Sequence, residues 1–247
     1  SSDVCSSDLA AKGCYDTAVG FLTPFISGKD SMFNDFKGYD AKGNAIHISV
    51  PPTLLVSAMG VMSDARKAIS SDFKISGDSI YLLGDTAREL GGSELYEHLS
   101  ENEKDASWIG GAVPKVDTTK NKALYRAYEK AVGKGIIASA VALSHGGLAY
   151  ALMKSSLAGM LGATIDLAKV GKKLAPTEAI FSESQGRILV SVAKENKKAF
   201  ETIMKGMCVE IGKVDGKDIV IASGARTIVK IPVEKLLSDY RKTFKDF

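Results

Sequence analysis

The stretch ISGDSIYLLGD, residues 75–85, decides the fold class. A Ser-Gly-Asp turn opens it, and an unbroken apolar and aromatic run follows without polar alternation. A run of this kind between turn residues is typical of a strand that is buried on both faces. We therefore predict a buried strand here, and a domain boundary at its Gly/Asp/Ser-rich entry, residues 76–79.

Further elements are predicted on both sides of this strand. Upstream, TPFISG (23–28) predicts a short strand, and PPTLLVSAMGVM (51–62) predicts another strand buried on both faces. Downstream, an amphipathic helix runs to Gly135, with Thr119 or Asn121 as its N-cap.

The order of the later elements sets the fold class. VEIGKV (209–214), DIVIAS (218–223) and TIVKIP (227–232) predict an antiparallel set of strands. Strands and helices interleave but do not alternate strictly. We therefore predict an α/β (α+β) fold in which helices cover a mixed sheet, rather than a doubly wound parallel sheet.

Composition excludes several classes of function. Of the 247 residues 45% are hydrophobic and 25% charged, and no apolar run reaches the roughly 20 residues of a membrane helix. The net charge of +3 is too small to indicate nucleic acid as a partner. Three cysteines without CxxC or metal-ligand spacing fit a reducing cytoplasm, and with three histidines they predict no zinc site.

Residues 1–9, SSDVCSSDL, form a separate segment. They show no helical or strand period, no initiator Met and no apolar core of a signal peptide. A common sequencing-library adapter end translates to these residues, so we interpret them as a cloning or assembly scar; a natural tail is the alternative.

Three polar clusters at predicted strand ends have the residue types that bind phosphates or nucleotides. In SGKDS, Gly28 allows close backbone approach, Lys29 supplies a cation, Asp30 is a candidate ligand for Mg²⁺, and Ser31 offers a hydroxyl. In LSHGGL, two glycines precede a helix whose N-terminus attracts anions; its candidate binding residues are Ser144, Gly146 and Gly147.

The third cluster is FSESQGR, 181–187, whose hydroxyls, amide and Arg187 suit a phosphate or a carboxylate. Each cluster also has a structural interpretation. HGGL fits a tight turn for close helix packing, Glu183 and Arg187 fit an ion pair, and His145 fits a surface or capping residue. In GGSEL, Ser93 fits a helix N-cap.

In their order along the chain, these motifs resemble the C-terminal part of phosphoribosylformylglycinamidine synthase, in the superfamily of aminoimidazole ribonucleotide synthetase. The resemblance rests on TPFISGKDSMFNDF, PPTLLVSAMGVMSDARKAI, GDSIYLLGDTARELGGSELYE, VPKVD, SHGGLAYAL and FSESQGRILVSV. It covers the chain from Ala10 to about residue 230. It implies that residues 10–70 end a second, truncated ATP-binding domain and that residues 71–247 form the last domain of the synthetase type.

The resemblance implies an ATP-dependent amidoligase of purine biosynthesis. Such an enzyme uses ATP and Mg²⁺ to activate an amide oxygen of formylglycinamide ribonucleotide, and ammonia from glutamine then displaces phosphate. It implies the N-terminal half of the same enzyme and a glutaminase subunit or domain as partners. The catalytic groups of the family are expected upstream, so the isolated chain is expected to be inactive. Other ATP-using relatives, a selenophosphate synthetase or a thiamine-monophosphate kinase, and a non-catalytic assembly domain are the alternatives.

The resemblance also assigns residues to nucleotide or substrate binding. Gly28, Lys29 and Ser31 fall on such family positions, although Asn is frequent where Lys29 stands, which leaves Asp30 as the weak metal candidate. In the last domain the implied binders are Ser182, Glu183, Ser184, Gln185 and Arg187.

One pair of residues departs from the family pattern. The family has His-Asp immediately before the Leu-Ser-x-Gly-Gly motif, whereas Val141 and Ala142 stand there in this chain. A methyl group in place of a carboxylate predicts a weakened or lost metal–nucleotide site in this half of the enzyme.

Overall fold

The computed structural model describes residues 2–29, 35–49, 53–171 and 173–242. The chain divides into two compact units, Ser1–Ser63 and Asp64–Phe247.

The first unit contains a helix and a β-hairpin. Helix α1 spans Ser2–Phe21, and strands β1 (Phe36–Tyr39) and β2 (Ala45–Ile48) pair in antiparallel register. One carboxylate oxygen of Asp40 accepts the backbone N–H groups of Lys42 and Asn44 at 2.8 and 2.9 Å. This local bonding closes the hairpin turn between β1 and β2.

Two expectations for the first unit are wrong, and its helix is longer than the period of the sequence indicates. Helix α1 includes residues 2–9, which show no helical period in the sequence; a helix beginning at Ala10 can propagate into neighbouring residues at little cost. The segments 23–28 and 53–62 contain no strand, and residues 51–52 of the strand predicted at 51–62 lie outside the described residues. Among the residues that the structure describes in this unit, β1 and β2 pair only with each other, so neither segment has a ladder partner.

The second unit is built on a seven-stranded sheet. Its strands are β3 (Ser79–Leu83), β4 (Ser139–Ala142), β5 (Ala163–Asp166), β6 (Ile188–Val192), β7 (Cys208–Val214), β8 (Asp218–Ser223) and β9 (Arg226–Pro232). They lie in the order β4-β6-β3-β7-β5-β8-β9. Neighbouring strands are antiparallel except β5 and β8, which are parallel, and this confirms the predicted mixed sheet.

The central strand β3 divides the core into two clusters. All five of its residues are buried, and it pairs with β6 on one side and β7 on the other. Ile80 and Leu82 point into one cluster, and Tyr81 and Leu83 into the other, as the two-residue period of a strand requires. The prediction of a strand buried on both faces is confirmed.

Helices cover both faces of this sheet. The α-helices of the second unit are α2 (Glu94–Glu103), α3 (Thr118–Gly133), α4 (Gly147–Gly159), α5 (Pro176–Phe181), α6 (Lys197–Met204) and α7 (Val233–Lys242). Helices α4, α5 and α7 pack on the Leu82 side, while α3 and α6 pack on the Tyr81 side.

Two local predictions for the second unit need correction. Strands β7, β8 and β9 do not form one antiparallel set, because β5 lies between β7 and β8 and runs parallel to β8. The N-cap of α3 is Asp117, not Thr119 or Asn121. Its carboxylate accepts the N–H of Lys120 at 3.0 Å, a bond that a residue inside the helix cannot supply.

Candidate functional site

The segment Ser182–Arg187 is bonded along its length to the loop that follows β3. The Ser182 hydroxyl donates to the carbonyl of Ala87 at 2.6 Å, and the Ser184 hydroxyl accepts the N–H of Ala87 at 3.0 Å. The N–H of Glu183 donates to the carbonyl of Glu89 at 3.0 Å. These bonds hold the two segments side by side, and both serine side chains are buried.

Arg187 lies beneath this pair of segments and is 1% exposed. Its Nε donates to the carbonyl of Ser184 at 2.9 Å and its Nη1 to the hydroxyl of Thr86 at 3.1 Å, while Nη2 donates to the carbonyl of Ser182. Burial lowers the pKa of Arg187 to about 10, and the charges of Glu89 and Glu183 act in the opposite direction. The hydrogen bonds of this guanidinium therefore go to uncharged carbonyl and hydroxyl oxygens. Among the described residues no ion pair joins it to Glu183.

Glu183 caps two helices with one carboxylate oxygen. Its Oε1 accepts the N–H of Gly146, which precedes α4, at 2.8 Å, and the N–H of Glu94, which begins α2, at 3.0 Å. Negative charge at a helix N-terminus is stabilised by the free N–H groups and the helix dipole. Glu183 thus places a carboxylate at the start of α4, while the binding roles predicted for Ser144, Gly146 and Gly147 stay predictions. Ser93 caps α2 by accepting the N–H of Tyr96 at 3.3 Å, as predicted.

The two glycines before α4 allow the backbones to meet closely. Gly146 and Gly147 have φ values of 72° and 58°, in the left-handed region. A Cβ on Gly147 would lie 2.4 Å from the carbonyl oxygen of Ser182, a distance that no side chain tolerates. The N–H of Gly147 donates to the carbonyl of Ser144 at 3.0 Å. This geometry matches the tight-turn interpretation of the motif. His145 is mostly exposed, with its Nδ1 3.1 Å from a carboxylate oxygen of Glu94.

A cleft of about 1030 Å³ opens beside these segments. It lies at the end of β3. There Leu83 pairs with Cys208 at the start of β7 and with Ile188 at the start of β6. Its apolar lining includes Leu82, Leu124 and Val209. Of the predicted binders, Ser184 and Gln185 line it.

Charged side chains surround this cleft. Four are basic and three acidic, and most of them have partners. Asp117 caps α3, Lys120 lies 3.6 Å from Asp85, and Arg88 lies 2.7 Å from Glu178. The loop that follows β3 and the lysines that line the cleft were not among the predicted binding residues. The Gly-Asp-Thr at the end of a buried strand (84–86) is the signal in the sequence that points to it.

The predicted residues of the first unit are described only in part. Gly28 and Lys29 are exposed in a segment without regular structure, and a Cβ on Gly28 would meet no other atom within 4 Å. Ser31 and the metal candidate Asp30 lie outside the described residues. The binding roles assigned to this cluster therefore stay predictions.

The described residues do not fit a metal ion. In residues 2–29, 35–49, 53–171 and 173–242, no group of three or more His, Cys, Asp or Glu side chains is arranged to hold one. Ala142 is exposed at the end of β4 and carries no ligand atom. In the same described part of the chain, no helix is both long and apolar enough to cross a membrane.

A family model and individual relatives with similar sequences both match this chain. The family model described as AIR synthase related protein, C-terminal domain, matches residues 76–223. The phosphoribosylformylglycinamidine synthase subunit PurL of Methanocaldococcus jannaschii is 32% identical over 236 residues, which cover 94% of this chain and 31% of the relative. The chain thus spans about a third of the length of the curated relatives it matches.

Solved structures show the same fold. T. maritima PurL complexed with FGAR is 17% identical, with a TM-score of 0.66 over 90% of this chain and 36% of that one. T. maritima PurL complexed with ATP is 20% identical, with a TM-score of 0.57 over 70% of this chain and 28% of that one. These findings confirm the resemblance to the C-terminal part of PurL. The chain belongs to the family of AIR synthase-related proteins, whose C-terminal domain it carries.

Proposed function

We propose that this chain is the C-terminal part of a PurL-type amidoligase. In the longer protein, formylglycinamide ribonucleotide, ATP and ammonia from glutamine give formylglycinamidine ribonucleotide, ADP, phosphate and glutamate. The similarity to PurL over 94% of the chain is the observation that supports this proposal most strongly. The proposal includes ATP and Mg²⁺ as cofactors, a glutaminase as partner and a cytoplasmic location.

The proposed role of this part is to complete the enzyme rather than to act alone. Residues 10–70 would end the second ATP-binding domain, and residues 71–247 would form the last domain. The expected catalytic groups lie in the remainder of the protein. We therefore expect the 247-residue chain to be inactive by itself.

A direct test measures amidine formation by the longer protein and by this chain alone. The longer protein should convert formylglycinamide ribonucleotide with ATP and ammonia, and it should release one ADP per product. The isolated chain should form none. Turnover by the isolated chain would contradict the proposal that this part of the enzyme is inactive by itself. A longer protein that is folded but inactive would contradict the proposed function.

A non-catalytic role in assembly is the second candidate. It is favoured by Glu183, whose carboxylate accepts hydrogen bonds from N–H groups at the starts of two helices. A ligand anion would need these same N–H groups. This role is also favoured by Ala142, which lacks the carboxylate of the family pattern. Nucleotide binding to the longer protein distinguishes the two, with Ser31→Ala and Arg187→Lys tested in turn. Weaker binding in Ser31→Ala would support a ligand role for this half, and unchanged binding in both variants would support assembly.

The scar interpretation of residues 1–9 has its own test. Long reads of the encoding DNA across the codons for Leu9 and Ala10 should show a frame that continues upstream with a different sequence. A natural start codon before Ser1 would contradict it.

A further inference from the structure

One segment of the second unit, residues 94–110, lies outside its core, and we call this segment the arm. It consists of helix α2 and a short 3₁₀ helix at Ala106–Trp108. The structure describes all of these residues; every one is exposed or half-buried, and none belongs to either hydrophobic cluster. Because few buried contacts oppose its displacement, such a segment belongs to the least stable part of a fold.

The arm is held together by its own contacts. The ring centroids of Tyr96 and Trp108 lie 5.3 Å apart, and the indole Nε1 of Trp108 donates to a carboxylate oxygen of Glu103 at 2.8 Å. The N–H of Asp105 donates to the carbonyl of Ser100 at 3.2 Å. These contacts join α2 to the 3₁₀ helix, so the arm can move without losing its own structure.

Glycines lie at both ends of the arm. The N–H of Gly91 donates to the carbonyl of Ala112 at 2.8 Å and closes the base of the arm. Next to this bond, Gly92 and Gly110 have φ values of 69° and 110°, which glycine adopts without strain. A Cβ on either glycine would meet no heavy atom within 4 Å beyond its chain neighbours, so packing does not fix these dihedral angles. The two positions are therefore suited to act as hinges.

Two contacts of Glu94 fasten the arm to the rest of the second unit. Its N–H donates to Oε1 of Glu183 at 3.0 Å, and one of its carboxylate oxygens lies 3.1 Å from Nδ1 of His145. Glu183 is itself anchored, because its N–H donates to the carbonyl of Glu89 and its Oε1 also accepts the N–H of Gly146. The His145 contact is exposed and is therefore the weaker of the two.

We propose that the arm swings as a unit about Gly92 and Gly110, and that Glu183 is the latch that holds it closed. The chain enters and leaves the arm at the cleft beside β3, because Glu89 and Lys115 both line that cleft. The N–H of Lys115 donates to a carboxylate oxygen of Glu89 at 2.9 Å and so joins the two sides. A swing of the arm therefore changes the opening of the cleft. The proposal concerns a motion of this chain, and it holds whether or not the longer protein forms the amidine.

Distances between spin labels in the 247-residue chain test this motion. The three native cysteines are replaced by alanine, and labels are attached to Glu101→Cys in the arm with Lys130→Cys in α3, or to Lys130→Cys with Lys154→Cys in α4 as a control. All three labelled positions are exposed. The pair that includes the arm should show two populations of distance, and the control pair should show one. A single population for both pairs, in the wild type and in Glu183→Gln, would overturn the proposal.

Two matched substitutions test the latch. Glu183→Gln should raise the ratio of displaced to closed arm by about fivefold, since a neutral amide accepts a weaker hydrogen bond than a carboxylate does. Asp166→Asn is the control, because Oδ1 of Asp166 also accepts two backbone N–H groups, those of Ala168 and Gly224, and none of these residues belongs to the arm. It should leave the ratio within about 1.5-fold. Equal effects of the two variants would contradict a latch at Glu183.

Trp108, the single tryptophan of the chain, distinguishes a swing of the arm from its unfolding. Because Trp108 packs against Tyr96 within the arm, its fluorescence emission maximum should be the same in Glu183→Gln as in the wild type. A red-shifted emission in Glu183→Gln would show that the arm unfolds, and it would contradict motion as a unit.

Discussion

Two apolar segments of this chain have the same kind of sequence and opposite environments. In β3, Ile80, Leu82 and Leu83 are 0–1% exposed, and paired strands lie on both sides. In the segment 53–62, Leu55 is 87% exposed and Val61 is fully exposed, and the backbone has no regular structure. An apolar run shows that a segment can be buried, but the neighbouring elements decide whether it is.

The difference suggests that the two units differ in completeness. The second unit supplies β3 with two neighbouring strands and with helices on both faces. The described part of the first unit contains, besides the segment 53–62 and other irregular segments, only helix α1 and a two-stranded hairpin whose strands pair with each other. We infer that the first unit obtains its missing layers from the remainder of a longer protein, in line with the proposed truncated ATP-binding domain.

The largest effect should come from removing the same side chain in each segment. Leu82→Ala should lower the free energy of unfolding by about 3 kcal/mol, because it leaves a cavity in the core. Leu55→Ala should change it by less than about 0.5 kcal/mol, since the side chain is already in water. Urea denaturation followed by circular dichroism and by the single tryptophan, Trp108, measures both. Similar losses of unfolding free energy in the two variants would contradict the difference in burial between the two segments.

The next effect concerns the cap shared by two helices. Glu183→Ala should cost about 2 kcal/mol of stability, because the N–H groups of Gly146 and Glu94 lose a buried charged acceptor. Glu129→Ala, at an exposed position within α3, is the control and should cost less than about 0.5 kcal/mol. Thermal unfolding of both variants gives the comparison. A Glu183 variant as stable as the control would show that this carboxylate is not a structural cap.

A gain of binding is expected from restoring the family carboxylate. Under the hypothesis of a weakened site, Ala142→Asp in the longer protein should add Mg²⁺-dependent ADP binding, because the new carboxylate is an oxygen ligand of the kind that Mg²⁺ binds. Residue 142 is exposed at the end of an edge strand, so the new charge needs no burial. Calorimetry with and without Mg²⁺ measures the effect. A variant that binds no better than the wild type would refute the account of a weakened site.

The smallest effect depends on pH. Asp78 is 3% exposed, and its Oδ2 has no hydrogen-bond partner among the described residues. Burial raises the pKa of Asp78, the charge of Glu195 raises it further, and that of Lys74 opposes them. The protonated form therefore favours the fold. Its contribution is complete below the unfolded-state pKa of about 3.9 and is lost as pH rises through the higher folded-state pKa.

Asp78→Asn removes this titration. The variant should be more stable than the wild type at pH 7, by about 1 kcal/mol, and the difference should disappear toward pH 3. Urea denaturation of both proteins between pH 3 and pH 8 measures the difference. A variant that is less stable at pH 7, or a difference that does not depend on pH, would contradict this assignment.

Much of the second unit could be predicted from local sequence. The strand at 79–83, the cap at Ser93 and the turn at Gly146–Gly147 each follow from short-range patterns. The insertion of β5 between β7 and β8 could not be predicted in this way, because strand order depends on contacts distant in sequence.

The candidate site was predictable in composition but not in bonding. The sequence predicted polar groups at 181–187 and a helix start that attracts anions at Gly146–Gly147. It could not show that Glu183 caps this helix, because the bond from Gly146 spans 37 positions. Nor could it bring Lys115 and Lys169 to the same cleft, since they lie on segments far apart in the chain.

Hydrogen–deuterium exchange tests most directly the claim that the first unit is incomplete in this chain. Peptides from 53–62 should exchange rapidly in the 247-residue protein and slowly in the longer one, while peptides from β3 should exchange slowly in both. Protection of 53–62 in the 247-residue protein, or rapid exchange of it in the longer protein, would contradict the account.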